Sequence, residues 1–485
     1  MRRSTCTVTV GNVSIGSAHP IRIQSMTTSS TRDINATVDQ IKHLADSGCE
    51  IARVTVQGKK EAIACEGIKN ALIQSGYSIP LVADIHFYPP AAMVVAEFVD
   101  KVRINPGNYL DKRGIILENF EERIDEGFAP LVLKCKERGI AMRIGVNHGS
   151  LAERMMTAYG DTPDGMVASA LEYAKVCRKY DYHNFLFSMK SSNTIVMIDA
   201  YRKLVSAMDE LGWNYPLHLG VTEAGRGIAG RIKSAVGIGS LLLDGMGDTI
   251  RVSLTEDPWY EIEPCKELIA LAEARRAPSK VVKRDRIPSP VHPDGAVITD
   301  DEGIHAPYFE MQKHTLASAR AYLATSDEPM ILRYTEKNPI WAAAELGALL
   351  IDGFGSGICM PDRELALTIL QACRMRSTKT EFISCPSCGR TLFDLQEVSQ
   401  RIEEKTSHLP GVKIAIMGCI VNGPGEMADA DFGYVGSRPG KIDLYVGKTC
   451  VEKDIDMEIA DQKLIDLIKA HGRWIEKSHL VAVES

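Results

Sequence analysis

Three cysteines near the C-terminus carry the sharpest chemical signal in the sequence. Cys385 and Cys388 stand in the segment CPSC, and Cys419 follows in the segment GCIVNGPGE. Two thiolates separated by two residues can bind one metal centre from a single turn, and a third from a distant loop gives an incomplete ligand set for a cubane cluster or a zinc ion. The fourth ligand is then either Glu426, which follows a Gly-Pro-Gly turn, or Cys450.

The spacing of these cysteines bears on the kind of metal centre. A zinc ribbon more usually carries a second CxxC pair, which the sequence lacks, so the pattern favours an iron-sulfur cluster over zinc. The CxxxCxxC triplet of radical SAM enzymes is also absent from the sequence. A carboxylate is a harder ligand than a thiolate, so Glu426 would give an exchangeable, reactive cluster, whereas Cys450 would give a closed one.

A second group of polar residues lies in the first half of the chain, at the ends of short apolar runs. Each of these positions is occupied by a cation or an amide: Arg53, Arg103, Asn105, Arg143, Asn147, Lys190 and Arg251. One such arginine would most simply form a structural salt bridge. Five cations around one site would repel one another unless a polyanion lay between them, and guanidinium groups bind phosphate oxygens in a bidentate manner. The set therefore predicts a site for a diphosphate-sized ligand.

Three further residues at the ends of these runs could transfer protons. Asp84 and His86 lie in VADIHF, and Glu223 lies in LGVTEAG. Carboxylates and imidazoles at such positions are candidates for general acid-base catalysis. They are as well explained as hydrogen-bond partners that hold the backbone, and the residue types alone leave both interpretations open.

The apolar runs themselves predict the element that positions these side chains. Eight runs recur between residues 21 and 254, many with amphipathic stretches between them: IRIQSM, IARVTV, PLVADIHF, VRIN, AMRIGVN, NFLFSMK, LHLGVTE and TIRVSL. After the first run, Asp33 can cap a helix, apolar residues follow at helical spacing, and Gly48 can end it. Eight β/α units predict an α/β fold of the TIM (β/α)8 barrel type, in which the active site lies at the C-terminal ends of the strands.

Composition and charge exclude several classes of protein. The chain has 485 residues, of which 45% are hydrophobic and 25% charged, so it is long enough for at least two folded domains. Its net charge of −7 argues against binding to nucleic acid. No run approaches the ~18 apolar residues of a membrane helix, and the N-terminus lacks the apolar stretch of a signal peptide. We therefore expect a cytoplasmic protein that does not bind membranes and whose 12 cysteines are not paired in disulfides.

Taken together, these motifs resemble those of the 4-hydroxy-3-methylbut-2-enyl diphosphate (HMBPP) synthase family, also called GcpE. The resemblance covers residues 10–262 and 369–450 and rests on these segments: HPIRIQSMTTS, ARVTV, VADIHF, VRINPGN, RIGVNHGS, FSMKSSN, HLGVTEAG, KSAVGIGSLLLDGMGDTIRVSL, CPSCGRTLFDL and GCIVNGPGE. So many matching segments in one chain make coincidence implausible.

The resemblance implies a mechanism and a set of ligands. It implies one [4Fe-4S] cluster per chain, held by Cys385, Cys388, Cys419 and Glu426. It also implies that the five cations hold a substrate diphosphate. Members of the family reduce 2-C-methyl-D-erythritol 2,4-cyclodiphosphate to HMBPP in the non-mevalonate (MEP) isoprenoid pathway, with electrons from ferredoxin or flavodoxin. A homodimer and a C-terminal α+β domain of the ferredoxin and sulfite reductase type are further expectations.

This sequence differs from compact members of that family in one region, the segment between the barrel and the cluster domain. We predict a barrel at residues 1–262, an inserted spacer at 263–368 and a cluster domain at 369–485. Within the insert, LLIDGFGSGI (349–358) repeats the pattern of LLLDGMGDTI (241–250), and PMILRYTEK (329–337) that of PLHLGVTEA (216–224). The insert therefore resembles the spacer of plant-type members. Because it is too short for a full second barrel, we predict that it contains only a few β/α units.

Two other functions fit part of the pattern. One is a phosphate-handling barrel lyase or transferase whose tail binds structural zinc through the three cysteines and Cys450. It predicts a colourless protein whose activity survives air. The other is an iron-sulfur redox sensor that binds a diphosphate metabolite without turning it over.

Overall fold

An eight-stranded parallel barrel forms the first half of the chain and confirms the fold predicted from the apolar runs. The computed structural model describes residues 2–85, 88–110, 120–276, 284, 297–302, 306–420, 425, 427 and 429–476. The barrel strands lie side by side in this order: Phe185–Lys190, Ala141–Asn147, Lys101–Ile104, Leu81–Ile85, Ile51–Val56, Arg22–Met26, Thr249–Ile250 and His218–Leu219. A parallel bridge between Phe187 and Leu217 joins the two edges of this sheet. None of the described helices combines the length and the apolar character needed to cross a bilayer.

The strands are short and fall into four sheets. Their bounds are β1 Val8–Val10, β2 Val13–Ile15, β3 Arg22–Met26, β4 Ile51–Val56, β5 Leu81–Ile85, β6 Lys101–Ile104, β7 Ala141–Asn147, β8 Phe185–Lys190, β9 His218–Leu219, β10 Thr249–Ile250, β11 Ile298–Thr299, β12 Tyr308–Glu310, β13 Ile331–Arg333, β14 Gly357–Cys359, β15 Glu381–Ser384, β16 Lys413–Met417, β17 Phe432–Arg438, β18 Lys441–Val446 and β19 Thr449–Asp456.

Helices connect the parallel strands. Their bounds are α1 Ile34–Ser47, α2 Lys59–Gln74, α3 Pro89–Val95, α4 Pro106–Tyr109, α5 Phe120–Arg138, α6 Glu153–Tyr159, α7 Pro163–Lys179, α8 Thr194–Glu210, α9 Gly227–Ser234, α10 Ser240–Leu243, α11 Ile262–Arg275, α12 Leu316–Ala324, α13 Pro339–Ile351, α14 Arg363–Ala372, α15 Leu395–Thr406 and a last helix, Met457–Ala470. A π-helical turn, Ala235–Gly239, joins α9 to α10.

The first β/α unit shows how the local sequence sets the barrel. The side chain of Asp33 accepts a hydrogen bond from the backbone N–H of Ala36 and starts α1. Val38 and Ile41 are buried on the face that packs against the sheet. Gly48 adopts a φ of 105° and its N–H satisfies carbonyls of the last turn, which ends the helix. The predicted cap and stop of this helix are both confirmed.

The insert contains a small parallel sheet of its own, with the strand order β11-β14-β13-β12. Its helix α13 packs directly on the π-helical turn of the barrel. A Cβ atom on Gly239 would clash with Ala344, and a Cβ atom on Gly347 would come within 2.9 Å of Val236. Gly239 and Gly347 are equivalent positions of the repeated motif, and so are Val236 and Ala344. The glycine of each copy therefore contacts the other position in the opposite copy, so the barrel segment and the insert pack with approximate two-fold symmetry.

A buried network of four charges holds the same contact. Asp244 and Asp352, the aspartates of LLLDG and LLIDG, are both buried. Arg202 on α8 donates to both carboxylates, at 2.8 Å and 2.6 Å. Arg320 on α12 also donates to both, at 2.6 Å each. The insert and the barrel therefore share one hydrophobic core and one ion network.

The C-terminal domain is a separate α+β unit with its own core. Its sheet has the order β15-β16-β17-β18-β19, in which the first three strands are parallel and the last two pairs are antiparallel. The apolar faces of α15 and the last helix pack on this sheet. Strand β15 ends at Ser384, directly before Cys385, so the sheet delivers the CPSC segment to the mouth of the barrel.

The buried ion network makes a stability prediction. We expect Asp352→Asn to lower the free energy of unfolding by about 3 kcal/mol, because two buried arginines then lose one of their carboxylates. Urea unfolding followed by circular dichroism measures the change. Asp327→Asn is the matched control, since this aspartate pairs with Arg284 while its side chain is 99% exposed. Equal shifts for both variants would contradict a structural role for the network.

Candidate active site between the barrel and the C-terminal domain

The five barrel cations converge on one cavity. Each is at most 8% exposed and lies within a barrel strand, at its end or directly after it: Arg53 on β4, Arg103 on β6, Arg143 on β7, Lys190 at the end of β8 and Arg251 after β10. They line a cavity of about 70 Å³, and Asp84, Asn147 and Glu223 line it with them. The strand register places Arg103 directly beside both Asp84 and Arg143.

Two glycines make room for these long side chains. A Cβ atom on Gly145 would come within 2.6 Å of the Arg103 Nε. A Cβ atom on Gly220 would come within 2.6 Å of the Lys190 Nζ. At both positions a side chain would displace a cation, which gives a physical reason for glycine within β7 and directly after β9.

Among the described residues that line the cavity, cations outnumber carboxylates. Arg251 forms two hydrogen bonds of 2.9 Å with Glu261, and Arg103 donates to Asp84 at 3.0 Å. None of the described residues accepts a hydrogen bond from the buried Nε and Nη1 atoms of Arg143. In the part of the chain that the structure describes, Arg53 donates only to a sulfur, the Met26 Sδ, at 2.8 Å and 3.1 Å, and a thioether is a weak acceptor.

The pKa values reflect this imbalance. Burial, reinforced by the charges of Arg251 and Arg103, lowers the pKa of Arg53 to about 10. Burial and the neighbouring arginines also hold the pKa of Lys190 and that of Arg143 well below their usual values. Buried cations without partners are costly, and a bound polyanion is the ligand that removes this cost.

Glu223 combines two features that are typical of functional residues. Its φ is +47°, in the left-handed region that residues with a side chain rarely adopt. Its carboxyl group is buried, and none of the described residues forms a hydrogen bond with Oε2. Glu223 also lines the cavity, where its carboxyl group can exchange a proton with a ligand.

The three cysteines reach the same cavity from the C-terminal domain. Cys385, Cys388 and Cys419 all line it, opposite the barrel cations. The backbone N–H of Gly418 donates to the Cys385 Sγ at 3.3 Å, and burial raises the pKa of that thiol. No three His, Cys, Asp or Glu side chains of the described residues are grouped as they would be around a single metal ion. The ligands of a cubane bind different iron atoms and stand further apart, so this arrangement is compatible with a cluster.

The structure separates the remaining predicted residues into three groups. Asn147 lines the cavity and accepts a hydrogen bond from Arg103 at 3.2 Å. Asn105 instead caps helix α4: it accepts from the Gly107 N–H and donates to Ser150, and it is not among the lining residues. His86 and Glu426 lie outside the described residues.

The sequence analysis missed one cation of the site, Arg390. This residue belongs to the C-terminal domain and lines the cavity, with a side chain that is 7% exposed. Its Nε lies 3.4 Å from the Cys388 Sγ, and its Nη2 lies 3.9 Å from a carboxylate oxygen of Asp84. The signal was its position two residues after the CPSC motif, but a single arginine there is equally consistent with a solvated side chain.

Comparisons with known proteins agree with this arrangement. The domain described as the GcpE TIM-barrel domain matches residues 5–266, and the one described as the GcpE protein C-terminal domain matches residues 381–470. The chain belongs to the HMBPP synthase (GcpE) family. The two matched domains of the family are the two units that line the cavity.

Full-length relatives support the same assignment. The 4-hydroxy-3-methylbut-2-en-1-yl diphosphate synthase (flavodoxin) of Protochlamydia amoebophila is 49% identical over 98% of this chain and 97% of its own length. The chloroplastic ferredoxin-named enzyme of Oryza sativa is 44% identical over 98% of this chain and 88% of its own. The first alignment runs over 634 positions, more than the 485 residues of this chain, so that GcpE relative has segments with no counterpart here.

Replacing a buried, unneutralised cation of the site should raise the free energy of unfolding and weaken the binding of anions. We expect Arg143→Met to raise the free energy of unfolding by about 1 to 4 kcal/mol, because it removes a buried charge that no described carboxylate neutralises. The same variant should bind inorganic pyrophosphate more weakly, which titration calorimetry measures. Arg438→Met, at an exposed position of the C-terminal domain, should change neither quantity. A destabilised Arg143→Met protein would show that the imbalance of charge is not real.

Proposed function

We propose that this chain catalyses the reductive ring opening of 2-C-methyl-D-erythritol 2,4-cyclodiphosphate to HMBPP, the reaction of the MEP isoprenoid pathway. The substrate gains two electrons and two protons, the bond from ring carbon to phosphate oxygen breaks, and one molecule of water leaves. The observation that carries the proposal is one cavity lined on one side by five buried cations and on the other by three cysteines.

The donor set fits a [4Fe-4S] cluster held by Cys385, Cys388, Cys419 and Glu426. The three thiols lie together at the cavity, and Glu426 is the ligand that the family resemblance supplies. When bound, such a cluster would pass electrons one at a time to the substrate in the cavity. No other group in the chain offers redox chemistry at this site, among the residues that the structure describes.

The barrel residues bind and orient the substrate. Arg143 and Arg53 have no carboxylate partner among the described residues, so their guanidinium donors can bind phosphate oxygens. Arg251 and Arg103 are already held by Glu261 and Asp84, so they form the rigid part of the site. Fixing both phosphates in this way orients the ring carbon and supplies the entropic part of the catalysis.

Glu223 is the residue that we assign to proton transfer. Glu223 lines the cavity shared by the cations and the cysteines, and its buried Oε2 has no hydrogen-bond partner among the described residues. A carboxyl group there can donate a proton to the hydroxyl that leaves as water. Asp84 is engaged by Arg103 and lies near Arg390, so its role is to orient these cations.

The zinc alternative requires Cys450 as the fourth ligand, and the position of this residue does not favour it. Cys450 lies on β19, its Sγ is 3.7 Å from the Glu452 carbonyl oxygen, and it is not among the lining residues of the cavity. A zinc site through Cys450 would need this strand to move.

The electron donor, the oligomeric state and the location of the protein belong to this proposal. The relatives are named for flavodoxin or ferredoxin, and we propose a donor of one of these two classes. A homodimer and a cytoplasmic location stay predictions from the sequence. Analytical ultracentrifugation tests the first of them.

The role of Glu223 predicts a change in turnover without loss of the cluster. We expect Glu223→Gln to keep its iron content and to slow dithionite-driven turnover by on the order of 10²-fold or more, because glutamine cannot donate the proton. The KM for the cyclodiphosphate should change far less than kcat. An unchanged kcat would remove Glu223 from the mechanism.

The ligand assignment predicts different outcomes for two cysteines. After anaerobic purification and iron-sulfur reconstitution, we expect about four irons per chain for the wild type and for Cys450→Ser. Cys419→Ser should lose most of its iron and its brown absorption. Zinc in place of iron in the wild type, or loss of metal from Cys450→Ser, would favour the zinc-bearing lyase instead.

A further inference from the structure

Arg390 connects the two halves of the site. Its backbone belongs to the segment that follows Cys388, and its side chain enters the barrel mouth and is 7% exposed. On one side the Nε lies within hydrogen-bond distance of the Cys388 Sγ, at 3.4 Å. On the other side the Nη2 lies 3.9 Å from Asp84, which is itself bound to Arg103 at 3.0 Å. One guanidinium group therefore contacts a predicted cluster ligand and a barrel carboxylate.

The backbone next to Arg390 explains how this side chain reaches so far. A Cβ atom on Gly389 would come within 2.6 Å of the Ser29 carbonyl oxygen and 2.9 Å of the Thr55 Oγ1, both on the barrel. Only glycine lets the CPSC segment lie this close to the barrel loops. The contact between Arg390 and Asp84 consequently requires that the C-terminal domain is seated on the barrel.

Two acceptors, one from each domain, hold the buried side chain of Arg390. The C-terminal domain supplies the Cys388 Sγ at 3.4 Å from the Nε, and the barrel supplies an Asp84 carboxylate oxygen at 3.9 Å from the Nη2. Neither domain supplies both kinds of partner by itself.

From this geometry we propose that Arg390 is a positioning residue that makes the cluster easier to reduce when the C-terminal domain is seated on the barrel. The inference rests on the proposed function, because it assumes that Cys388 binds iron. Hydrogen bonds and positive charge at a ligand sulfur stabilise the reduced cluster, which carries one more negative charge. Asp84 holds the guanidinium in place, so the barrel influences the cluster through Arg390.

An EPR-monitored redox titration of the reconstituted full-length chain tests the proposal. We expect Arg390→Gln to keep its iron and to show a midpoint potential more negative than that of the wild type. Its kcat should fall on the order of 10-fold or more, as for other residues that support cluster ligands, with a smaller change in the KM for the cyclodiphosphate. Arg438→Gln, an exposed arginine of the same domain, should match the wild type in all three quantities. An unchanged potential in Arg390→Gln would overturn the proposal.

Two further variants make the test decisive. If Arg390→Gln does not hold iron, Arg390→Lys replaces it, because lysine keeps the charge but loses the planar fork. A potential below that of the wild type then supports the role, and an unchanged one overturns it. Asp84→Asn should lower the midpoint potential by less than Arg390→Gln does. In the double variant, Asp84→Asn should lower the potential only a little beyond the effect of Arg390→Gln alone. Fully additive shifts would contradict a shared bridge.

The readout separates this inference from the function on which it rests. A chain that binds no iron in any form would end the proposed function itself. A chain that binds iron and turns over substrate, but whose potential ignores Arg390, would leave the function intact and end only this inference.

Discussion

The excess of positive charge inside the barrel is the constraint on which the site depends. Five cations converge where parallel strands end, and the acids that surround them neutralise only part of their charge. Burying Arg143 and Arg53 is energetically costly, because no described carboxylate forms a hydrogen bond with either guanidinium group. A bound polyanion would offset this unfavourable free energy, so the barrel is suited to binding one. The strained backbone at Glu223 is a second energetically unfavourable feature of the same site.

The second requirement is that the cysteines predicted to bind the cluster lie next to this anion site. The CPSC segment lies over the barrel of the same chain, and its glycine permits backbone contact with barrel loops. The insert lies against the last barrel units through α13 and the network of Arg202, Arg320, Asp244 and Asp352. It thereby fixes where the chain leaves the barrel and where α14 delivers it to the C-terminal domain.

Sequence alone predicted the elements that follow from periodicity and local chemistry. The eight strands, the Asp33 cap and the grouping of the three cysteines are features of this kind. Asn105 shows a limit of predicting the site from residues at the ends of apolar runs. Strand β6 stops at Ile104, the backbone turns into α4, and the Asn105 amide caps that helix and is not among the residues that line the cavity. Arg390 and the conformation of Glu223 could not be predicted, because both depend on contacts between segments that are distant in the chain.

One chain supplies both halves of the active site in this structure. The direct measurement is turnover of the cyclodiphosphate by an equimolar mixture of two impaired variants, Arg143→Met, whose anion site is weakened, and Cys419→Ser, which should lose most of its iron. Because each chain is defective in the site that it builds from its own two domains, we expect the mixture to be no more active than the mean of the two variants alone. Recovery of a substantial fraction of wild-type activity on mixing would show instead that the C-terminal domain acts on the barrel of a second chain.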